Sequence, residues 1–212
     1  KTGERPVEAL CARGVQYIEV RCIDVDPFDP LGINLESARF LDAFLLYCAL
    51  EDSPLTNHDE GQENLRNFAL CVKRGREPEL MLSHAGTSVS LQEWGIALLE
   101  KIRPVAALLD QQRGDQVHIT SLTQQLAKLH DPDLTPSARV LQSIKQENKS
   151  FAQFALKQSL YFAEQFRSRP VDEKTKIDLM QMAEQSLQEQ AQMEAKQSGS
   201  FDAFIEDYRS RT

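Results

Sequence analysis

The chain has 212 residues, and its 41% hydrophobic and 26% charged content is that of a globular protein with a sizeable core. Its formal net charge of −8 at pH 7 disfavours nucleic acid and anionic membranes as partners, because no net positive field would attract them. The longest apolar stretches, such as residues 43–50, are too short to cross a bilayer. The composition therefore indicates a soluble, folded protein.

The first predicted element is a strand that runs from Val15 to Asp24 and leads into a turn held by Pro27 and Pro30. Successive side chains of a strand point to opposite faces. One face of this strand would be apolar, with Ile18, Val20 and Cys22. The opposite face would carry Tyr17, Glu19 and Arg21. This second face brings two opposite charges together.

Glu19 and Arg21 would lie about 7 Å apart on that face, and the pattern has two interpretations. A carboxylate beside a guanidinium can form a hard-cation ligand next to a phosphate contact, because Mg²⁺ prefers carboxylate oxygens and Arg matches phosphate oxygens. The same residues can form a surface ion pair that contributes about 0–1 kcal/mol. The spacing alone favours the ion pair, since such pairs are common on exposed strands.

Helical spacing of apolar residues predicts that most of the remaining chain is helical. Asn34 is the predicted N-cap of a helix that ends at Ser53-Pro54, and a second helix is predicted over residues 60–74, with Gly75 as its stop. The second helix is expected to bury four side chains: Leu65, Phe68, Ala69 and Val72. Residues 80–83 are predicted as a short strand.

Ser90 and Glu93 have the spacing of a capping box, which predicts a helix that continues to about Leu109 and is kinked or divided at Pro104. Five further helices are predicted around residues 122–129, 135–144, 151–166, 172–197 and 201–208. The aromatic residues of segment 151–166 are expected to lie in the core.

The cysteines and histidines indicate neither a disulfide framework nor a metal site. The four cysteines have no CxxC spacing, which in a chain of this length favours reduced thiols in a reducing compartment. All four histidines are expected on the surface or in loops: His58, His84, His118 and His130. The sequence also has no glycine-rich phosphate loop, GxSxG motif or Cys/His nucleophile pair, so an enzyme function would depend on Glu19 and Arg21.

The residues around these two charges resemble a known enzyme family. The similarity is carried by three segments: Tyr17-Ile18-Glu19-Val20-Arg21, Asp26-Pro27-Phe28-Asp29-Pro30-Leu31-Gly32 and Arg39-Phe40-Leu41-Asp42. Together they resemble the proteobacterial form of glutamate–cysteine ligase. Weaker matches follow in the family's order at Gly75-Arg76, Asp131-Pro132-Asp133-Leu134-Thr135 and Phe201-Asp202-Ala203-Phe204. The resemblance covers nearly the whole chain and corresponds to the C-terminal portion of a much longer family member.

The resemblance implies an ATP-dependent ligase that joins the γ-carboxyl group of L-glutamate to L-cysteine through γ-glutamyl phosphate, the first step of glutathione biosynthesis. It implies ATP and Mg²⁺ as cofactors, with Glu19 as a metal ligand, Arg21 as the catalytic contact to the transferred phosphate, and Arg21 and Tyr17 as nucleotide-binding residues. The implied fold is α+β and mainly helical, with one or two strands completing a glutamine-synthetase-like antiparallel sheet and a helical layer beside them.

The resemblance further implies that residues 1–212 are the C-terminal portion of one catalytic domain. Residues 1–33 would supply the active-site strand and proline-rich turn, residues 34–170 a helical layer, and residues 171–212 the C-terminal helices. The N-terminal part of the same ligase would complete the site, so the fragment alone would be inactive. The whole protein would be a cytoplasmic monomer that binds glutamate, cysteine and ATP, but neither nucleic acid nor membrane.

The alternative is a non-catalytic α-helical interaction module of the same ancestry. Such a module would bind a partner through segment 151–166 and the Gln-rich helix 172–197.

Overall fold

The computed structural model describes residues 5–21 and 23–210, so Cys22 of the predicted strand lies outside the described residues. This part of the chain is mainly helical, as predicted, with a single antiparallel pair of strands. The elements in chain order are α1 (Pro6–Arg13), α2 (Leu35–Leu50), α3 (His58–Arg74), β1 (Met81–His84), β2 (Thr87–Ser90), α4 (Leu91–Arg113), α5 (Val117–His130), a 3₁₀ turn (Pro132–Leu134), α6 (Pro136–Glu147), α7 (Phe151–Ser168), α8 (Glu173–Lys196) and α9 (Phe201–Ser210). Helix α1 was not predicted from the sequence.

The chain divides into two compact units, Lys1–Ser159 and Leu160–Thr212, whose boundary falls within α7. The hydrophobic core of the first unit lies between α2, α4 and α5. Its buried side chains are Ala43, Leu99, Ile102, Ala106 and Leu122. Helices α4 and α5 approach closely at Gly95, where an added Cβ would lie 2.8 Å from the Leu129 side chain. A larger residue at this position would therefore force the Leu129 side chain to shift.

Side-chain caps fix the starts of three helices at the predicted positions. Asn34, Ser90 and Thr135 each accept a hydrogen bond from the backbone N–H three residues later, at the starts of α2, α4 and α6. Helix α4 continues through Pro104. The sequence predicted a kink or a division at this residue, and the helix is not divided. Proline removes one backbone donor, and the core packing on both sides of it keeps the helix continuous.

The hairpin of β1 and β2 confirms the predicted short strand. Met81 pairs with Ser90 and His84 with Thr87 around a two-residue turn, Ala85-Gly86, in which both residues have positive φ. Helix α3 is fastened to this hairpin by the buried amide of Asn67. Its Nδ2 donates to the Ser83 carbonyl at 2.6 Å, and its Oδ1 accepts the Ser83 N–H at 3.0 Å.

The buried face of α3 was predicted wrongly. The four apolar residues expected in the core are all exposed: Leu65, Phe68, Ala69 and Val72. A polar residue, Asn67, is buried in their place because it satisfies the edge of the hairpin. In α7, Phe154 is buried as expected, whereas Phe151 and Phe166 are exposed.

The predicted strand from Val15 to Asp24 is not part of the observed sheet. Within the described residues, β1 and β2 pair only with each other, and segment 15–25 forms no ladder. A strand needs a neighbour to satisfy its backbone N–H and C=O groups. The apolar side chains of the segment are between 44% and 76% exposed: Val15, Ile18, Val20, Ile23 and Val25. The segment thus has the sequence of a strand without a partner.

The second unit consists of the end of α7 together with α8 and α9. In the described part of this unit, neither α8 nor α9 has a buried residue. Three rings of α9 lie next to one another, with centroid distances of 6.4 Å for Phe201–Phe204 and 6.1 Å for Phe204–Tyr208.

Asp110 links the end of α4 to the start of α5. Its Oδ1 accepts the His118 N–H at 2.9 Å and lies 2.7 Å from His118 Nδ1, and its Oδ2 accepts the Ile119 N–H at 2.9 Å. Burial alone would raise the pKa of Asp110, but the backbone hydrogen bonds from Ile119 and His118 outweigh it and lower the pKa. His118 is buried here, so its predicted surface position was wrong.

Asp110→Ala is expected to lower the free energy of unfolding by about 3 kcal/mol, because it removes a buried acceptor at the start of α5 and the partner of His118. The lowered pKa means that this contribution is present above the ordinary carboxyl pKa of about 4 and is lost as the pH falls below it. Urea denaturation at pH 7 and pH 3 measures both effects. Asp59→Ala, at an exposed position, is the control, and equal losses for the two variants would contradict this role.

Candidate active site

Glu19 and Arg21 lie on the same side of the unpaired segment, as strand alternation predicted. Arg21 Nε donates to Glu19 Oε2 at 2.7 Å, and a terminal guanidinium nitrogen contacts the same oxygen. The side chain of Arg21 is 81% exposed and that of Glu19 is 46% exposed. Tyr17 is also exposed. In the described chain the two charges therefore form the surface ion pair that was one of the two interpretations.

The segment leads into a turn that closes on itself. The Asp26 N–H donates to the Gly32 carbonyl at 2.8 Å, which joins the two ends of the turn. The Asp26 carboxylate is buried and accepts the Phe28 N–H at 3.0 Å, while Asp29 accepts the Leu31 N–H at 2.9 Å. Gly32 has φ of +75°, a conformation that favours glycine. The aspartates thus stabilise the turn.

The turn is seated on the helices by contacts that we call the turn anchor, formed by Phe28, Arg139, Phe154 and Gln158. The Arg139 guanidinium of α6 lies 4.1 Å from the centroid of the Phe28 ring. The Phe154 ring of α7 meets the Phe28 ring edge-on, with centroids 5.8 Å apart. Gln158 Nε2 donates to the Pro27 carbonyl at 3.3 Å. Two helices therefore hold the turn.

The anchor was missed by sequence reasoning. Arg139 is an exposed residue of α6, and its guanidinium covers the Phe28 ring. No spacing rule connects residues that are more than a hundred positions apart in the chain. The only available signal was an aromatic residue, Phe28, between two prolines, where a side chain is held outward from a rigid turn.

Lys128 of α5 is influenced by two charges of this region, those of Asp26 and Arg139. Burial lowers the pKa of Lys128, and the positive charge of Arg139 acts in the same direction. The carboxylate of Asp26 opposes these effects by raising the pKa of Lys128. The negative charge at the start of the turn thus interacts with Lys128 of α5, in addition to the contacts of the turn anchor.

A second group of titratable side chains lies away from this region. Ligand atoms of Asp110, Asp115 and His118 lie within 4.8 Å of one another, a distance compatible with a metal ion. Both oxygens of Asp110 already accept hydrogen bonds from the first turn of α5, and Asp115 is paired with Arg113 at 3.0 Å. Capping of α5 accounts for Asp110, and the candidate site is the segment with Glu19 and Arg21.

Among the described helices, none combines the length and the apolar character that a membrane crossing requires.

Comparison with solved structures places the fold among amino-acid ligases. The crystal structure of glutamate–cysteine ligase from Francisella tularensis in complex with AMP matches with a TM-score of 0.90 and 29% sequence identity. The match covers 100% of this chain and 41% of that chain.

Sequence comparison finds relatives along nearly the whole chain. A family model described as glutamate-cysteine ligase matches residues 1–71. The glutamate–cysteine ligase of Janthinobacterium sp. (strain Marseille) is 56% identical over 211 residues, which are 100% of this chain and 40% of that protein. The enzyme of Pseudomonas fluorescens (strain Pf-5) is 49% identical over 209 residues, or 99% of this chain and 39% of that protein. Over nearly its whole length the chain is similar to these glutamate–cysteine ligases, and it spans about two-fifths of their length.

Glu19→Gln is expected to leave the urea midpoint of the 212-residue chain within experimental error of the wild type, because exposed ion pairs contribute little to stability. Gln keeps the volume of the side chain and removes only its charge. Glu100→Gln, which breaks the exposed pair with Arg103, is the matched control. A large loss of stability in Glu19→Gln alone would show that Glu19 has a structural role in this chain.

Proposed function

We propose that these residues act as part of an ATP-dependent ligase that joins the γ-carboxyl group of L-glutamate to the amine of L-cysteine. This reaction is the first step of glutathione biosynthesis. The observation that carries the proposal is the 56% identity over the whole chain to a protein named glutamate–cysteine ligase. The AMP bound to the structural neighbour from Francisella tularensis supports a nucleotide site in this family.

The proposed reaction has two transfers. An oxygen of the glutamate γ-carboxylate attacks the γ-phosphorus of ATP, which gives γ-glutamyl phosphate and ADP. The amine of cysteine then attacks the acyl carbon, phosphate leaves with the electron pair of the broken C–O bond, and the amine loses a proton. Both steps require positioning and charge stabilisation more than a protein nucleophile, which fits a sequence without a nucleophile motif.

Arg21 is proposed as the contact to the transferred phosphoryl group. Its guanidinium is exposed and, in the described chain, is paired with the Glu19 carboxylate, which it could exchange for phosphate oxygens of similar geometry. Tyr17, two positions before Glu19 in the alternating pattern, is proposed to border the nucleotide. Its side chain is exposed and is available for such a contact.

Glu19 is proposed as a ligand of Mg²⁺. Its half-exposed carboxylate is a suitable hard oxygen donor. Bound Mg²⁺ would neutralise charge on the ATP phosphates. A single carboxylate falls short of the roughly six oxygen ligands that Mg²⁺ takes, so phosphate, water and residues beyond this chain would supply the others.

The exposed segment 15–25 is proposed to complete a glutamine-synthetase-like sheet with an N-terminal part of the same ligase. Its apolar side chains and its backbone lack partners in the described residues, which is the condition of a strand removed from its sheet. On this proposal residues 1–33 form the active-site strand and turn, residues 34–170 a helical layer and residues 171–212 the C-terminal helices. The whole enzyme would act as a monomer in the cytoplasm.

In the full-length protein, Arg21→Lys is expected to lower kcat by about 10²–10³-fold, because an ammonium cannot reproduce the two-pronged contact of a guanidinium. Glu19→Gln is expected to lower kcat strongly and to raise the Mg²⁺ concentration needed for half-maximal rate. ADP release with glutamate and cysteine, measured across a Mg²⁺ titration, tests both variants. Turnover of Arg21→Lys within about threefold of wild type would make Arg21 structural, and wild-type metal dependence would remove Glu19 from the site.

The 212-residue chain alone is expected to show no ligase activity and a Tm shift below about 1 °C with millimolar MgATP and glutamate. A ligand stabilises a folded chain more when it binds more tightly, and only three proposed contacts lie in this chain. Thermal unfolding with and without MgATP measures the shift. A clear shift, or ADP release stimulated by cysteine, would show that the chain holds a complete nucleotide site.

The second candidate function is a non-catalytic interaction module. It is favoured by the apolar side chains of α8, which are all exposed in the described chain, including Ile177, Met180 and Leu187. The two functions differ in one measurement. A full-length protein that releases no ADP with glutamate and cysteine, although folded, would favour the interaction module.

A further inference from the structure

The Phe28 ring is the point where the segment with Glu19 and Arg21 is joined to the helical layer. Three contacts from two helices meet the turn there, from Arg139 of α6 and from Phe154 and Gln158 of α7. We propose that the turn anchor is a positioning device for the ligase reaction, in which Arg139 and Phe154 hold Phe28 and thereby fix the register of the strand that carries Glu19 and Arg21. The proposal rests on the proposed function.

The turn can transmit such a constraint because it is closed and stiff. Its ends are joined by the hydrogen bond from Asp26 to Gly32, and Pro27 and Pro30 fix their own φ angles. Its start, Asp26, is tied through its buried carboxylate to the Phe28 N–H. The ring and the end of the segment therefore move together.

Register matters at this position more than at most others. Arg21 lies five residues before Asp26, which is about 17 Å in an extended strand. A slip of one residue would turn Glu19 and Arg21 to the opposite face of the sheet and bring apolar side chains into their place. The anchor opposes such a slip, because Phe28 would have to leave both Phe154 and the Arg139 guanidinium.

The anchor is peripheral to the core that holds the first unit together. That core lies between α2, α4 and α5, whereas the anchor residues belong to the turn, α6 and α7. Arg139 is an exposed residue. Loss of its guanidinium is therefore expected to leave the fold in place, which separates positioning from stability.

The test uses the full-length protein with Phe28→Leu, Phe28→Tyr, Arg139→Gln and the double variant Phe28→Leu/Arg139→Gln. Leu keeps apolar volume without an aromatic face, whereas Tyr keeps the face. We expect kcat to fall about tenfold in Phe28→Leu and about threefold in Arg139→Gln, with KM for cysteine within about twofold. Phe28→Tyr should stay within about twofold of wild type. The kcat of the double variant should be at most about twofold lower than that of Phe28→Leu, because both changes break the same contact.

The matched control is Arg169→Gln. Arg169 also covers an aromatic ring, that of Phe166, at 5.0 Å, but both residues lie in the second unit and outside the anchor. Its kcat should equal that of wild type. Equal losses in Arg139→Gln and Arg169→Gln, an additive double variant, or a Tm loss in Phe28→Leu without a change in kcat would overturn the proposal.

Hydrogen exchange gives a readout that does not depend on turnover. In the full-length protein, Phe28→Leu and Arg139→Gln should raise the exchange rates of amides 15–25, while the amides of β1 and β2 and the Arg169→Gln variant stay as in wild type. Unchanged exchange in segment 15–25 would overturn the proposal. A wild-type protein without ligase activity would instead overturn the proposed function, and the exchange comparison would still decide whether the anchor holds the segment. If Phe28→Leu does not fold, the kcat and the exchange rates of Arg139→Gln alone test the proposal.

Discussion

The seat of the Phe28 ring is the contact on which the geometry of the candidate site depends. Segment 15–25 has no ladder partner among the described residues, so its backbone does not locate it. The turn that follows fixes the position of the segment, because the turn is closed by its own hydrogen bonds and is held against α6 and α7. Two charges on a partnerless segment are thereby connected to a packed helical layer.

Much of the helical layer could be predicted from the sequence because its signals are local. An N-cap acts over three residues, so Asn34, Ser90 and Thr135 identify the starts of their helices without knowledge of the fold. The common face of Glu19 and Arg21 is local in the same sense, since alternation places residues two apart on one side.

The rest depended on contacts between distant residues. Burial of Asn67 requires the edge of a hairpin that lies 16 residues away, and burial of His118 requires the carboxylate of Asp110. For the Phe28–Arg139 contact the sequence offered only an aromatic residue between two prolines, which does not indicate its partner. The sequence also could not predict that segment 15–25 is unpaired in the described chain, since a strand forms a sheet only with a partner. Glu19 and Arg21 form an ion pair in the described chain, and their role in catalysis stays a prediction.

The unpaired segment also has a consequence for the handling of this chain in solution. Its described residues include exposed Val, Ile and Tyr side chains and pair with no other strand, so they are a template for edge-to-edge association with a second copy. The net charge of −8 keeps copies apart at low ionic strength, but salt screens that repulsion over about 10 Å at 0.1 M. Aggregation of the isolated chain should therefore increase with salt. The charged residues Glu19, Arg21 and Asp24 interrupt the apolar segment and oppose this association.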